Sequence, residues 1–180
     1  LIISFSKLLN QEASHIPSGQ HVMDEEYYDR IEAIQFTMNH DDGNLINDID
    51  KSDIILLGVS RTSKTPTSIY LANRGYKTVN IPLVLDQKIP DDLKSADNRV
   101  CVIGLVADAE RLADIRRNRV AIMKDNNIKR YTDIASIKEE LEKSKKLFNK
   151  YKWPTIDVTR KSVEETAASI LKIFEINKRK

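Results

Sequence analysis

The sequence predicts an α/β fold, a parallel sheet with helices on both faces. Three observations carry this. Strand-length apolar runs alternate with longer stretches of helical periodicity along the whole chain. The run Ile54 to Leu57 is apolar at every position, which suits a strand buried on both faces. It ends at Gly58, and the spacing G-x-x-x-x-S-K-T follows directly, with helical periodicity beyond it.

The elements follow in order. Leu1 to Leu9 carries Ile2, Ile3, Phe5, Leu8 and Leu9 and reads as a helix. Gln11 to His21, with Pro17 and Gly19, reads as a linker or ordered loop. Asp24 suits an N-cap, Glu25 and Glu26 suit the positive end of a helix dipole, and Tyr27, Ile31, Ile34 and Met38 keep helical spacing, so a helix is predicted from Asp24 to Asn39. Gly43 is placed to stop it. Leu45 to Ser52 is a polar link. After the strand and loop, Thr65 to Arg74 reads as a helix, with Pro66 in its first turn and Gly75 past its end.

Thr78 to Val84, β-branched and apolar, is the second strand, and Arg99 to Val106 is the third. Leu85 to Asn98, which contains Pro90, is a loop or short helix. Asp108 caps a helix reaching about Asp125, and in the connector Asn126 to Thr132 Tyr131 is placed to anchor the next helix. That helix starts at Asp133 or at Ser136, whose spacing to Glu139 is a capping box; Ile134, Ile137, Leu141, Phe148 and Tyr151 mark its inner face. Thr155 to Thr159 is a fourth short strand behind Trp153-Pro154, and Ser162-x-x-Glu165 is a second capping box that opens a helix to about Asn177.

The composition bounds the function. With 180 residues the chain is long enough for one domain with a sizeable core. The 29 basic and 27 acidic residues leave a net charge of +2, so bulk charge gives no nucleic-acid footprint. The longest apolar runs are of strand length, which argues against a membrane span. Cys101 is the single cysteine; it excludes an internal disulfide, fits a reducing, cytoplasmic compartment, and reads as a small buried hydrophobe.

The loop Gly58 to Thr65 carries the chemistry. It differs from the phosphate-binding spacing G-x-x-x-x-G-K-[ST] at one place, Ser63 for the second glycine. Backbone N–H groups of Gly58, Val59, Ser60, Arg61, Thr62, Ser63, Lys64 and Thr65 at a helix start would form an anion-binding concavity. Lys64 would reach the outer phosphates and the Thr65 hydroxyl would sit on Mg²⁺. Ser63 must then accept the backbone angle usually given to glycine, or the loop must differ slightly. The plainer reading is a turn between strand and helix. The expectation is a P-loop nucleotide-kinase-like domain over residues 46–180, led into by an N-terminal helical segment, 1–45.

Two further clusters are candidates. His40-Asp41-Asp42-Gly43 puts two carboxylates at the negative end of a helix dipole, against local preference. One of Asp41 and Asp42 is expected to accept a hydroxyl proton or to help hold Mg²⁺; the alternative is a helix end entering a turn. Arg111, Arg116, Arg117 and Arg119 crowd one helix, either as a solvated basic face or to neutralise a transferring phosphoryl group.

The stretch Gly58-Val-Ser-Arg-Thr-Ser-Lys-Thr-Pro66, with Tyr70-Leu-Ala and Arg74-Gly-Tyr-Lys, closely resembles the pyruvate, phosphate dikinase regulatory proteins. Arg30-Ile-Glu-Ala-Ile and His40-Asp-Asp-Gly43 also resemble that family's signatures, as does Ile115-Arg116-x-x-Arg119, and the resemblance runs from about Ile31 to Ala168. It implies a bifunctional enzyme. ADP would donate a phosphoryl group to a threonine of the dikinase, and inorganic phosphate would remove it as pyrophosphate. It implies roles for Arg116 and Arg119 among the arginines, and it implies that an N-terminal domain precedes Leu1. A sister group acts on phosphoenolpyruvate synthetase. A small-molecule kinase, a nucleotide-binding module without chemistry, and a homodimer all stay open.

Overall fold

The computed structural model describes residues 2–12, 25–43, 48–84, 93, 100–123 and 129–178. Helix α1 spans Ile2–Leu9 and α2 spans Glu25–Asn39. A 3-10 turn, Asp41–Gly43, and a second, Ile49–Lys51, lead to strand β1, Ile54–Gly58. Helix α3 is Lys64–Ala72, β2 is Thr78–Pro82 and β3 is Cys101–Val106. Then come α4 (Ala109–Met123), α5 (Lys129–Thr132), α6 (Ile134–Tyr151), β4 (Thr155–Asp157) and α7 (Val163–Lys178). The proposed cap Asp24, most of the linker Gln11 to His21, and nearly all of Leu85 to Asn98 lie outside the described residues.

The four strands form one all-parallel sheet in the order β2-β1-β3-β4. The period-two alternation of β1 sends Ile54 and Leu56 to one face and Ile55 and Leu57 to the other, and all four are fully buried. On the first face they meet Leu71 of α3 and Ala167, Ile170 and Phe174 of α7. On the second they meet Phe148 of α6 and Phe36 of α2. Helices therefore cover both faces, as the continuous apolar run requires. Each such buried aliphatic side chain contributes about 1.5–3 kcal/mol relative to exposure.

Local chemistry sets the boundaries. Asp108 caps α4, accepting from the N–H groups of Glu110 and Arg111, both at 3.0 Å. Of the two starts open for α6, the structure takes Asp133, whose carboxylate accepts from Ser136 N at 2.9 Å; Ser136 is thus inside the helix and is not its cap. The second capping box does form: Ser162 N donates to Glu165 at 2.8 Å and Glu165 N to Ser162 Oγ at 3.2 Å. The fourth strand stops at Asp157, two residues before the expected end, because the Asp157 carboxylate takes the Thr159 N–H and turns the chain. The second strand likewise stops at Pro82. Gly75, at φ 86°, follows the end of α3 in the left-handed region.

Two features position the site. From β1 the chain crosses to β2 on one side, then returns to β3 on the other. The carboxyl ends of β1 and β3 therefore flank a topological switch point, where open α/β sheets bind ligands. In addition, β2 is an edge strand, and α2 runs along it. Thr78 N donates to Thr37 Oγ1 at 3.0 Å, and Asn80 N donates to the His40 carbonyl at 3.1 Å. These acceptors satisfy outward N–H groups that an edge strand leaves unpaired.

Candidate functional site

The loop 58–63 leaves β1 at the switch point. Gly58 is required by space: a Cβ there would lie 2.7 Å from Thr62 Oγ1 and 2.8 Å from the Leu105 carbonyl of β3. Val59 O anchors the turn, accepting from Thr62 Oγ1 at 2.9 Å and from Lys64 Nζ at 3.0 Å. Ser63 adopts the left-handed conformation, φ 58° and ψ 26°, and Arg61 sits at φ 71°. Of the two outcomes open for Ser63, the serine therefore takes the glycine angle. Such a residue costs of order 1–3 kcal/mol and persists where the surroundings over-determine it.

Lys64 is the first residue of α3 and is only 6% exposed. Burial lowers its pKa from 10.5 to about 8. The carboxylates of Asp42 and then Asp41 work against that shift, while Arg116 and Arg61 add to it. The ammonium thus faces acidic groups from the 3-10 turn and basic groups from the loop and α4.

The edge contact of α2 delivers the acidic pair. Because His40 O is held by Asn80 N, the next residue lies beside the start of α3. Thr65 Oγ1 donates to Asp41 Oδ1 at 3.1 Å; Asn80 Nδ2 donates to that same oxygen and to Thr65 Oγ1 at 3.1 Å. Asp41 is half-buried; Asp42, at φ 53°, is exposed. The two carboxylates are therefore in different situations. Asp41 is fixed against the threonine, and Asp42 stands open to solvent while acting on the Lys64 charge.

The remaining predicted residues divide. Arg116 is fully buried. Its Nη2 donates to Glu140 at 2.7 Å and to the Ser60 carbonyl at 3.2 Å, and Nη1 to the Tyr131 carbonyl at 3.1 Å. It reaches the loop from behind. Arg119, on the same helix, is exposed, and Arg117 pairs with Asp114 at 2.7 Å. Sequence reasoning missed Asn80, though an amide inside the apolar strand Thr78-Val-Asn-Ile was a signal. It missed Glu140 too, which carries no signal before α4 and α6 are packed together.

A divalent cation suits this corner chemically, since the Thr65 hydroxyl and the Asp41 carboxylate are adjacent hard oxygen donors. Among the described residues no group of three or more His, Cys, Asp or Glu can hold a metal, so Mg²⁺ would depend on phosphate oxygens for much of its shell.

A parallel α/β sheet with a lysine-headed strand–loop–helix at its switch point defines the structural class. The family model described as Kinase/pyrophosphorylase matches residues 1–171, and the chain belongs to that family. A protein of Pelagibacter ubique (strain HTCC1062) is 68% identical over 178 residues, covering 99% of this chain and 65% of its own length. One from Chelativorans sp. (strain BNC1) is 51% identical over 167 residues, covering 93% and 61%, and one from Sinorhizobium medicae (strain WSM419) is 49% identical over 172 residues, covering 95% and 63%. All three carry the name "Putative pyruvate, phosphate dikinase regulatory protein". The chain thus spans a little under two thirds of the length of these relatives. No helix among the described residues is long and apolar enough to cross a membrane.

Proposed function

We propose that the chain carries the phosphoryl-transfer site of a bifunctional regulator of pyruvate, phosphate dikinase, working in the cytoplasm. In one direction a threonine hydroxyl of the dikinase attacks the β-phosphorus of ADP; the bond to the bridging oxygen breaks and AMP leaves. In the other, an oxygen of inorganic phosphate attacks phosphothreonine; the threonine oxygen leaves with a proton, and pyrophosphate forms. The observation that carries this reading is Lys64, buried at the head of the loop with Asp42 and Asp41 bearing on its charge. The family description and the names of the relatives support it.

The proposed roles draw on this geometry and on the resemblance. The N–H groups of the loop 58–65 hold phosphate oxygens, and Lys64 neutralises the outer ones. Asp42, exposed and unshared with Thr65, takes the hydroxyl proton and returns it in the reverse reaction. Asp41 and Thr65 hold Mg²⁺ when it is bound, and the ion stabilises charge on the phosphate oxygens. Arg119, one of the exposed arginines of α4, is the one from which phosphoryl neutralisation is expected.

The test is incubation with ADP and a dikinase, followed by phosphosite mass spectrometry, then with inorganic phosphate. Asp42→Asn is expected to lower both reactions by about 10²–10⁴-fold with ADP affinity retained. Absence of phosphothreonine on the dikinase, with transfer instead to phosphoenolpyruvate synthetase or a small molecule, overturns the choice of substrate. Loss of one reaction with the other intact overturns the shared site.

A further inference from the structure

Behind the loop lies a second polar cluster, which meets the candidate site at the partly exposed Ser60. Arg116 of α4, Tyr131 of α5 and Glu140 of α6 meet there. Besides the three hydrogen bonds of Arg116, its guanidinium lies over the Tyr131 ring at 4.6 Å, and the Tyr131 hydroxyl pairs with Ser60 Oγ at 2.8 Å. Arg116 Nε is buried with no hydrogen-bond partner among the described residues. A buried ion pair is weak as a source of stability, since desolvation offsets its attraction. Its geometry converges instead on one residue: Ser60 is held by its carbonyl and by its hydroxyl.

The trans peptide gives that contact a consequence. In a planar trans peptide the C=O and the following N–H point in opposite directions, and the described backbone has no cis bond. Drawing the Ser60 carbonyl toward the buried guanidinium therefore aims the Arg61 N–H away from the core, to the open side of the loop. Arg61 itself is held at φ 71°.

We infer that Arg116, Tyr131 and Glu140 are positioning residues that lock the Ser60–Arg61 peptide with its N–H presented to a phosphate oxygen. This rests on the reading of Gly58 to Thr65 as a phosphate-binding loop. None of the three contacts phosphate; they act through Ser60, and they tie α4, α5 and α6 to the ligand-holding backbone.

Arg116→Ala strands Glu140 in a largely buried position and is expected to melt the chain, so the hydroxyl pair carries the test. ADP affinity is measured by titration calorimetry, beside thermal melts, for Tyr131→Phe, Ser60→Ala and the double variant. Each single change is expected to weaken ADP by about three- to ten-fold, the range for one neutral hydrogen bond. The double variant should be no weaker than the worse single, with melting points close to the parent. Parental affinity in both single variants, or fully additive losses, overturns the clamp. Lys64→Ala is titrated alongside. If Lys64→Ala binds ADP like the parent, the phosphate-loop reading falls, and the clamp with it. If Lys64→Ala loses affinity while Tyr131→Phe and Ser60→Ala do not, only the clamp falls.

Discussion

The charge of Lys64 is expected to make affinity for a phosphate ligand depend on pH in a window where few other groups titrate. The folded chain gives this ammonium a pKa of about 8, against an ordinary 10.5, because burial disfavours the charged form. A phosphate ligand in the loop would favour the charged form and bring the pKa back to 10.5 or above. Phosphate esters have given up their second proton by about pH 6, and the arginines stay charged throughout, so Lys64 dominates the change above neutrality. From pH 7 to 9.5 the affinity for ADP is then expected to fall about 30-fold, with up to one proton taken up on binding near pH 9. Calorimetry in buffers of different ionisation enthalpy measures both. Lys64→Gln should be weaker at pH 7 and flat with pH. An affinity in the parent that stays level to pH 9.5, or a slope that persists in Lys64→Gln, refutes the reasoning. The sign for folding is separate. Between pH 8 and 10.5 the unfolded chain binds more protons than the folded one, so the contribution of Lys64 to stability rises with pH across that window. The gap corresponds to about 3 kcal/mol as an upper bound.

Two substitutions test the backbone and the core. Ser63→Gly relieves a left-handed serine and is expected to stabilise the fold by about 1 kcal/mol, raising Tm by about 2–4 °C in a thermal melt; an unchanged or lower Tm would mean that the strain is absent or that the Ser63 side chain contributes more than it costs. Gly104→Ala puts a Cβ 2.6 Å from the ring of Phe148, a fully buried side chain of α6, and is expected to destabilise by about 1–3 kcal/mol in denaturant titration.

What was legible in the sequence follows the range of the interactions. The apolar run of β1, the glycine at its end and the caps Asp108 and Ser162 act over a few residues, so the chain reports them directly. The start of α6 stayed open because Asp133 and Ser136 are both competent caps, and the choice rests on Asp133 reaching the Ser136 N–H. The site was legible in part. Lys64 and Thr65 are set by the loop spacing, but the separate situations of Asp41 and Asp42 depend on contacts across 24 and 39 residues, to Thr65 and Asn80. Arg116 was placed on the right helix, yet nothing local distinguishes it from exposed Arg119; only the packing of α4 against α6 turns its guanidinium inward.

The placement of the acidic pair follows from the needs of the sheet. A parallel edge strand presents N–H groups to the outside, and β2 is short, with buried side chains at Thr78, Val79, Asn80 and Ile81. Water cannot readily serve such groups, so the chain must bring acceptors to them. It does so with the last turn of α2, where Thr37 supplies a hydroxyl and His40 a carbonyl. His40 is fixed in turn by its ring, stacked on Phe36 at 4.0 Å with Nδ1 2.7 Å from the Phe36 carbonyl. Once Asn80 N is held by His40 O, the position of Asp41 is no longer free. Its carboxylate falls beside the Asn80 amide and the Thr65 hydroxyl at the start of α3. The carboxylates that looked misplaced at a helix C-terminus are therefore carried there by the edge-strand contact, and the helix dipole they oppose belongs to a different element from the one they serve. The contact that closes the sheet edge also brings Asp41, Asn80 and Thr65 together at the candidate site.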